Sequence, residues 1–267
     1  MSATGSRTDA ACGQRERRWP ALAARFLTIG LGLAAVGWAG FVAPVAWRQT
    51  SAAPLGNKIV FGERFKPGVL EQYLAAAQPD AGDGLCQAPT ERAVAVARLR
   101  LAEEALSDGD SGLIGRTEAA GDAALRRSLS CTPSDAFLWF ALFWMQNSRQ
   151  GFQPDNLKFL RLSYRTGPNE GWLAIRRNRI AIAIYPALPD DLKQAAADEF
   201  VQLVNSGLIT EAAGILAGPG APIRTMLLAR LHGIDENKLR YLAMLLAGAG
   251  IDNPFPELDT RPSFLRH

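Results

Sequence analysis

Residues 125–138 read LRRSLSCTPSDAFL, and residues 160–173 read LRLSYRTGPNEGWL. At an offset of 35 positions, Leu125/Leu160, Arg126/Arg161, Ser128/Ser163, Pro133/Pro168 and Leu138/Leu173 are identical. Ser134/Asn169, Asp135/Glu170, Ala136/Gly171 and Phe137/Trp172 keep their physical type. A repeat of this period with Pro at the turn marks a helix hairpin. One hairpin cannot bury its own apolar face, so copies must stack for the chain to fold. That requirement shapes the reading of everything around it.

Helical periodicity runs through most of the remaining sequence. It predicts helices over 68–77, 90–107, 113–130, 134–148, 155–165, 170–184, 189–206, 208–217, 221–231 and 235–248. Pro89-Thr90-Glu91, Pro133-Ser134-Asp135 and Pro168-Asn169-Glu170 each set a capping residue before an apolar face. Gly151, Gly207, Gly218 and Gly233 separate the helical stretches. No alternating strand pattern is present, so the expected fold class is all-α. The 134–148 helix is apolar around most of its circumference and is expected innermost. Its aromatic residues Phe137, Trp139, Phe140, Phe143 and Trp144 suit a core, the alternative being the lining of a ligand groove.

The stretch ALRRSLSCTPSDAFLWFALFW resembles a junction between two tetratricopeptide repeats. Trp139 and Leu142 fall at that family's W-x-x-L positions, and Phe159 at its later aromatic position. Pro168 lies one residue beyond the usual closing proline. Phe143 replaces the family's small Gly, Gln146 replaces its Tyr, and Asp155 stands near its Ala. In the second copy, Ala174 and Arg177 occupy the Trp and Leu positions. The match covers roughly residues 110–185. It implies an α-solenoid of tetratricopeptide-like hairpins over residues 68–250.

Ahead of this region lie 22 uncharged residues, 26–47, reading FLTIGLGLAAVGWAGFVAPVAW. As a helix they span roughly 33 Å, against a hydrocarbon core of about 30 Å. Arg15, Arg17, Arg18 and Arg25 precede the stretch and only Arg48 follows closely, which predicts a cytoplasmic N-terminus. The competing reading is a cleaved signal peptide, whose apolar region is shorter and whose cleavage site needs small residues. Pro44 and Pro54 spoil the candidate sites here, so an uncleaved anchor is expected. The expected organisation is a basic tail over 1–25, a transmembrane helix over 26–47 and a connector over 48–67. The helical-repeat domain follows over 68–250, with a Pro-rich tail over 251–267.

Charge agrees with that topology. Five Arg and two acids in residues 1–25 account for the whole net charge of +3, so the rest is neutral. A neutral body argues against a nucleic-acid binder, despite a pI near 8.9. Cys12 falls on the inner side of the proposed membrane, and Cys86 and Cys131 on the outer side. An isolated pair in an oxidising compartment is a disulfide candidate, the alternative being two buried free thiols.

Chemistry is sparse. Of the two His, His232 sits beside Gly233 and His267 ends the sequence, neither in a triad pattern. Glu103-Glu104 and Asp190-Asp191 are adjacent pairs whose members point to different helix faces. No cofactor, metal or catalytic set is expected, and the chain is read as a non-enzyme. Residues 116–190 hold ten basic and six acidic side chains. If the hairpins stack, Arg126 and Arg161 form a basic ladder, in an interaction face that also holds Arg127, Arg165, Arg176 and Arg177 and suits an acidic polysaccharide, a lipid phosphate or a partner's acidic patch. The alternative is that these Arg pair with nearby acids on the outside of helices.

Single-span proteins carrying this type of repeat junction resemble accessory proteins of bacterial exopolysaccharide or O-antigen assembly. The resemblance implies a bacterial inner-membrane protein whose periplasmic scaffold holds a partner protein, such as a polysaccharide polymerase or export component. Assembly of another envelope complex, such as cytochrome maturation or cell division, is the alternative. An enzyme with an unrecognised site comes after both.

Overall fold

The computed structural model describes residues 24–43, 52–77 and 86–255. Every regular element among them is helical, as the periodicity predicts. The chain divides into two units, Met1–Ala93 and Val94–His267.

The first unit opens with α1 (Ala24–Ala43), a helix of 20 residues long and apolar enough to cross a membrane. Its side chains are exposed almost throughout. The expected span 26–47 therefore starts two residues early, and its last four residues lie outside the described region. So do Cys12, Trp19 and most of the basic tail. Where the sequence predicts only a connector, the structure has a second helix, α2 (Ala52–Val60). Its Pro54 and Gly56 each have a place. Pro54 sits in the first turn, where a missing N–H costs nothing. Gly56 faces Ala93, and a Cβ there would stand 3.5 Å from the Ala93 Cα. Leu70 anchors α3 (Val69–Ala76).

The helix α4 (Ala88–Asp108) begins two residues before its prediction. Pro89 and Thr90 thus lie inside its first turn rather than ahead of it. In the second unit its Val94, Val96, Leu99, Ala102 and Ala105 are buried. Four helices follow, α5 (Ser111–Cys131), α6 (Ala136–Gln150), α7 (Leu157–Thr166) and α8 (Gly171–Ala183). Asp110 caps α5 by accepting from the Gly112 and Leu113 N–H groups at 2.9 and 3.1 Å. Asp135 caps α6 through the Leu138 N–H. Glu170, at the matching position before α8, makes no side-chain cap bond. A single 3-10 turn, Pro154–Asn156, leads into α7 and replaces the start of the predicted 155–165 helix.

As expected, α6 is innermost, packing on both α5 and α7. Phe137, Phe140 and Phe143 are buried, which makes these three of the stripe core, while Trp139 and Trp144 are half-buried. The half-buried Trp139 donates from its indole N–H to the Pro133 carbonyl and stacks on Phe159 at 6.1 Å. Beyond α8 come α9 (Asp190–Asn205), α10 (Ile209–Ala217), the short α11 (Arg224–Ala229) and α12 (Glu236–Gly248). Here α9 packs on α8, and α10 on α9 and α12. Between α9 and α10, Gly207 takes a positive φ of 85°, which lets the Leu208 N–H reach back to the Leu203 carbonyl. Residues 256–267, most of the expected tail, lie outside the described region.

Candidate interaction face

The repeat register is carried into the structure by burial. Leu125, Leu160, Ser128, Ser163, Leu138 and Leu173 are all fully enclosed. Arg126 and Arg161, the identical basic pair, both stay on the surface but each has an acidic partner. Arg126 Nε donates to Asp122 at 2.9 Å and its guanidinium lies 5.7 Å from the Phe159 ring centre. Arg161 grips Asp191 with two bonds, 2.6 and 3.1 Å. That contact pulls the Asp191 carboxyl below its ordinary range, first through the hydrogen bond. The alternative reading therefore holds for this pair, which is engaged in local ion pairs. Arg127, Arg165 and Arg176 are exposed. The charge of Arg176, with the larger effect of Arg100, offsets part of the burial that raises Glu103.

Arg177 overturns its own assignment. It is 0% exposed and cannot belong to any surface face. Its five N–H groups all find acceptors: Glu199 Oε1 from Nε at 3.1 Å and from Nη2 at 2.6 Å, the Ser163 carbonyl and hydroxyl at 2.7 and 2.9 Å, and the Gly167 carbonyl at 3.0 Å. Its guanidinium stacks over the Tyr164 ring at 4.2 Å. Tyr164 donates to the second Glu199 oxygen at 3.1 Å, and Asn178 donates to the Ala196 carbonyl at 2.7 Å. The Ser163 hydroxyl donates in turn to the Ala136 carbonyl at 2.8 Å. The cluster thus ties α6, α7, α8 and α9 at one point. Burial pushes the Glu199 carboxyl up even though Arg177, Tyr164 and Asn178 all favour its charged form. Burial, then the Glu199 charge, lifts the Tyr164 hydroxyl well above its usual range. The network is buried and holds these helices together, with the Asn178 Oδ1 left without a hydrogen-bond partner.

The chain matches no protein-family model, no curated protein and no solved structure.

Cys86 and Cys131 stand at disulfide distance and are bonded. Among the described residues, no three His, Cys, Asp or Glu side chains gather as a metal site requires. Sequence reasoning missed one hollow, a cavity of about 570 Å³ lined by Leu228, Leu231, Leu239, Pro254, Phe255 and the imidazole of His232. Its only signal was the lone His beside Gly233. A second hollow of about 150 Å³ lies between α4 and α5, flanked by Arg98 and Arg116. These two Arg fall in different predicted helices, and nothing in their spacing pairs them.

Proposed function

We propose that this chain is a bacterial inner-membrane scaffold, anchored through α1, whose periplasmic tetratricopeptide-like helix hairpins hold a partner protein. The observation that carries the reading is the common burial of repeat-equivalent positions 125/160, 128/163 and 138/173, with α6 packed on α5 and α7, and α8 packed on α9. Stacked hairpins of that kind build extended surfaces for other proteins. An apolar α1 and a bonded Cys86–Cys131 pair support a span with the helical region on the oxidising side. Exposed Arg127, Arg165 and Arg176 supply a cationic surface for an acidic partner or an anionic glycan. The resemblance of the repeat junction makes envelope polysaccharide biosynthesis or export the favoured setting.

Carbonate extraction and affinity purification test this reading together. The full-length protein should stay in the carbonate-washed membrane and bring down a polysaccharide polymerase or export component. Arg127→Glu with Arg165→Glu should weaken that capture at least several-fold. Release into the soluble fraction would remove the anchor. Capture of a cytochrome-maturation or division component instead would move the scaffold to another machine.

A further inference from the structure

Outside α1, the most exposed large apolar side chain among the described residues is Phe61, at 71%. Phe41 and Trp38 of α1 have the same exposure. Phe61 follows directly on α2 and is fixed in place by the helix end. The Gly62 N–H donates to the Ile59 carbonyl at 2.9 Å, and the Glu63 N–H to the Lys58 carbonyl at 3.0 Å. Gly62 supplies the positive φ of 84° that this paired closure requires. The Lys58 and Glu63 side chains meet across it at 3.7 Å. Two faces result. Ile59, Val60 and Gly56 are buried, whereas Pro54, Asn57, Lys58 and Phe61 share an outward arc at helical spacing. Arg64 and Lys66 extend the outward charge, so residues 58–66 carry three basic side chains against one acid.

We propose that this turn docks on an anionic phospholipid surface, with Phe61 entering the headgroup boundary and Lys58, Arg64 and Lys66 meeting lipid phosphates. An apolar ring amid cations is the arrangement by which amphipathic segments bind an interface. Chain length argues for lipid over a protein partner. Ala43 ends α1 and Ala52 begins α2, so even a fully extended link holds them within about 30 Å. The proposal rests on the reading of α1 as a membrane span. It goes further by fixing how the chain beyond the span meets the bilayer.

Spin labels on the full-length protein test it. In a Cys12→Ser background, Asn57→Cys reports the turn without removing any proposed contact, Leu33→Cys reports α1 and Ser206→Cys reports an exposed helix end. The protein is reconstituted in phosphatidylethanolamine/phosphatidylglycerol vesicles, and collision with oxygen and with a water-soluble nickel chelate is measured. The Asn57 label should be at least three-fold less accessible to nickel than the Ser206 label. Phosphatidylcholine vesicles, or Phe61→Ser with Lys58→Glu and Lys66→Glu, should restore access. Equal access at Asn57 and Ser206 while Leu33 is lipid-embedded overturns the docking and leaves the span intact. Nickel access at Leu33 overturns the span and the docking with it. Protection at Asn57 that persists in the triple variant and in phosphatidylcholine indicates contact with protein and also overturns the proposal.

Discussion

Arg177 is shut away from water, so its charge is stabilised only by the groups around it. Five donors meet five acceptor contacts, and the carboxylate opposite supplies the counter-charge. Truncation removes the cation and leaves Glu199 buried without it. Arg177→Ala should therefore destabilise the protein by about 3–5 kcal/mol, a penalty typical for breaking a buried pair from one side. Urea unfolding of the detergent-solubilised protein, followed by circular dichroism, measures it. A loss below about 1 kcal/mol would show that the guanidinium finds water. Acidity offers a second check. The folded state raises the Glu199 pKa through burial, so it binds a proton more readily than the unfolded chain. Stability from this group is fully present below the ordinary glutamate range and is lost as pH rises through the elevated value. Glu199→Gln should flatten that part of the stability profile while lowering the whole curve. Part of this site was legible beforehand. The tetratricopeptide register already set Arg177 at a Leu position, opposite in kind to the buried Leu142 one repeat earlier. Glu199 likewise falls on the apolar spacing Leu192, Ala196, Leu203 of α9. Counting local charge hid what register revealed, because two core positions of opposite sign look like surface residues until they are matched.

Helices were the most readable level through their period, whereas of the expected caps Asp135 forms its bond, Glu170 makes none and Thr90 lies inside the first turn of α4. Asp110, Asp135 and Asp235 all accept the N–H bonds that open their helices. Helix α2 escaped because its Pro and Gly serve a first turn and a close approach, roles visible only once Ala93 is in place. The same contrast predicts opposite outcomes for two glycines. Gly115 lies in the exposed body of α5 with nothing within 4 Å of an added Cβ. Gly115→Ala should stabilise by about 0.5–1 kcal/mol through reduced chain freedom. Gly167 closes α7, and a Cβ there would meet the Ala136 Cβ at 2.5 Å. Gly167→Ala should cost about 1–3 kcal/mol from overpacking, besides disturbing a carbonyl that accepts from Arg177. Thermal unfolding of both variants beside the parent protein decides the signs, and equal shifts would refute the packing argument.

At the scale of the molecule, the Cys86–Cys131 bond closes a loop containing all of α4 and α5. Restricting the unfolded chain over that length is worth about 4 kcal/mol in the chain-entropy treatment. Reductant should lower the melting temperature of the parent protein and leave Cys131→Ser unaffected. Recovery of both thiols free under non-reducing conditions would contradict the bond. The buried pair also has a bearing on how the chain reaches its fold. A protein made of near-copies risks seating one copy where the other belongs. If α6 took the place of α8, Leu142 would face Glu199 and leave a carboxylate stranded in apolar surroundings. That exchange is penalised by several kcal/mol, as any stranded buried charge is. Arg177 therefore works as a key cut for one lock. A chain with Leu at 177 and Gln at 199 would lose that one penalty against the exchange.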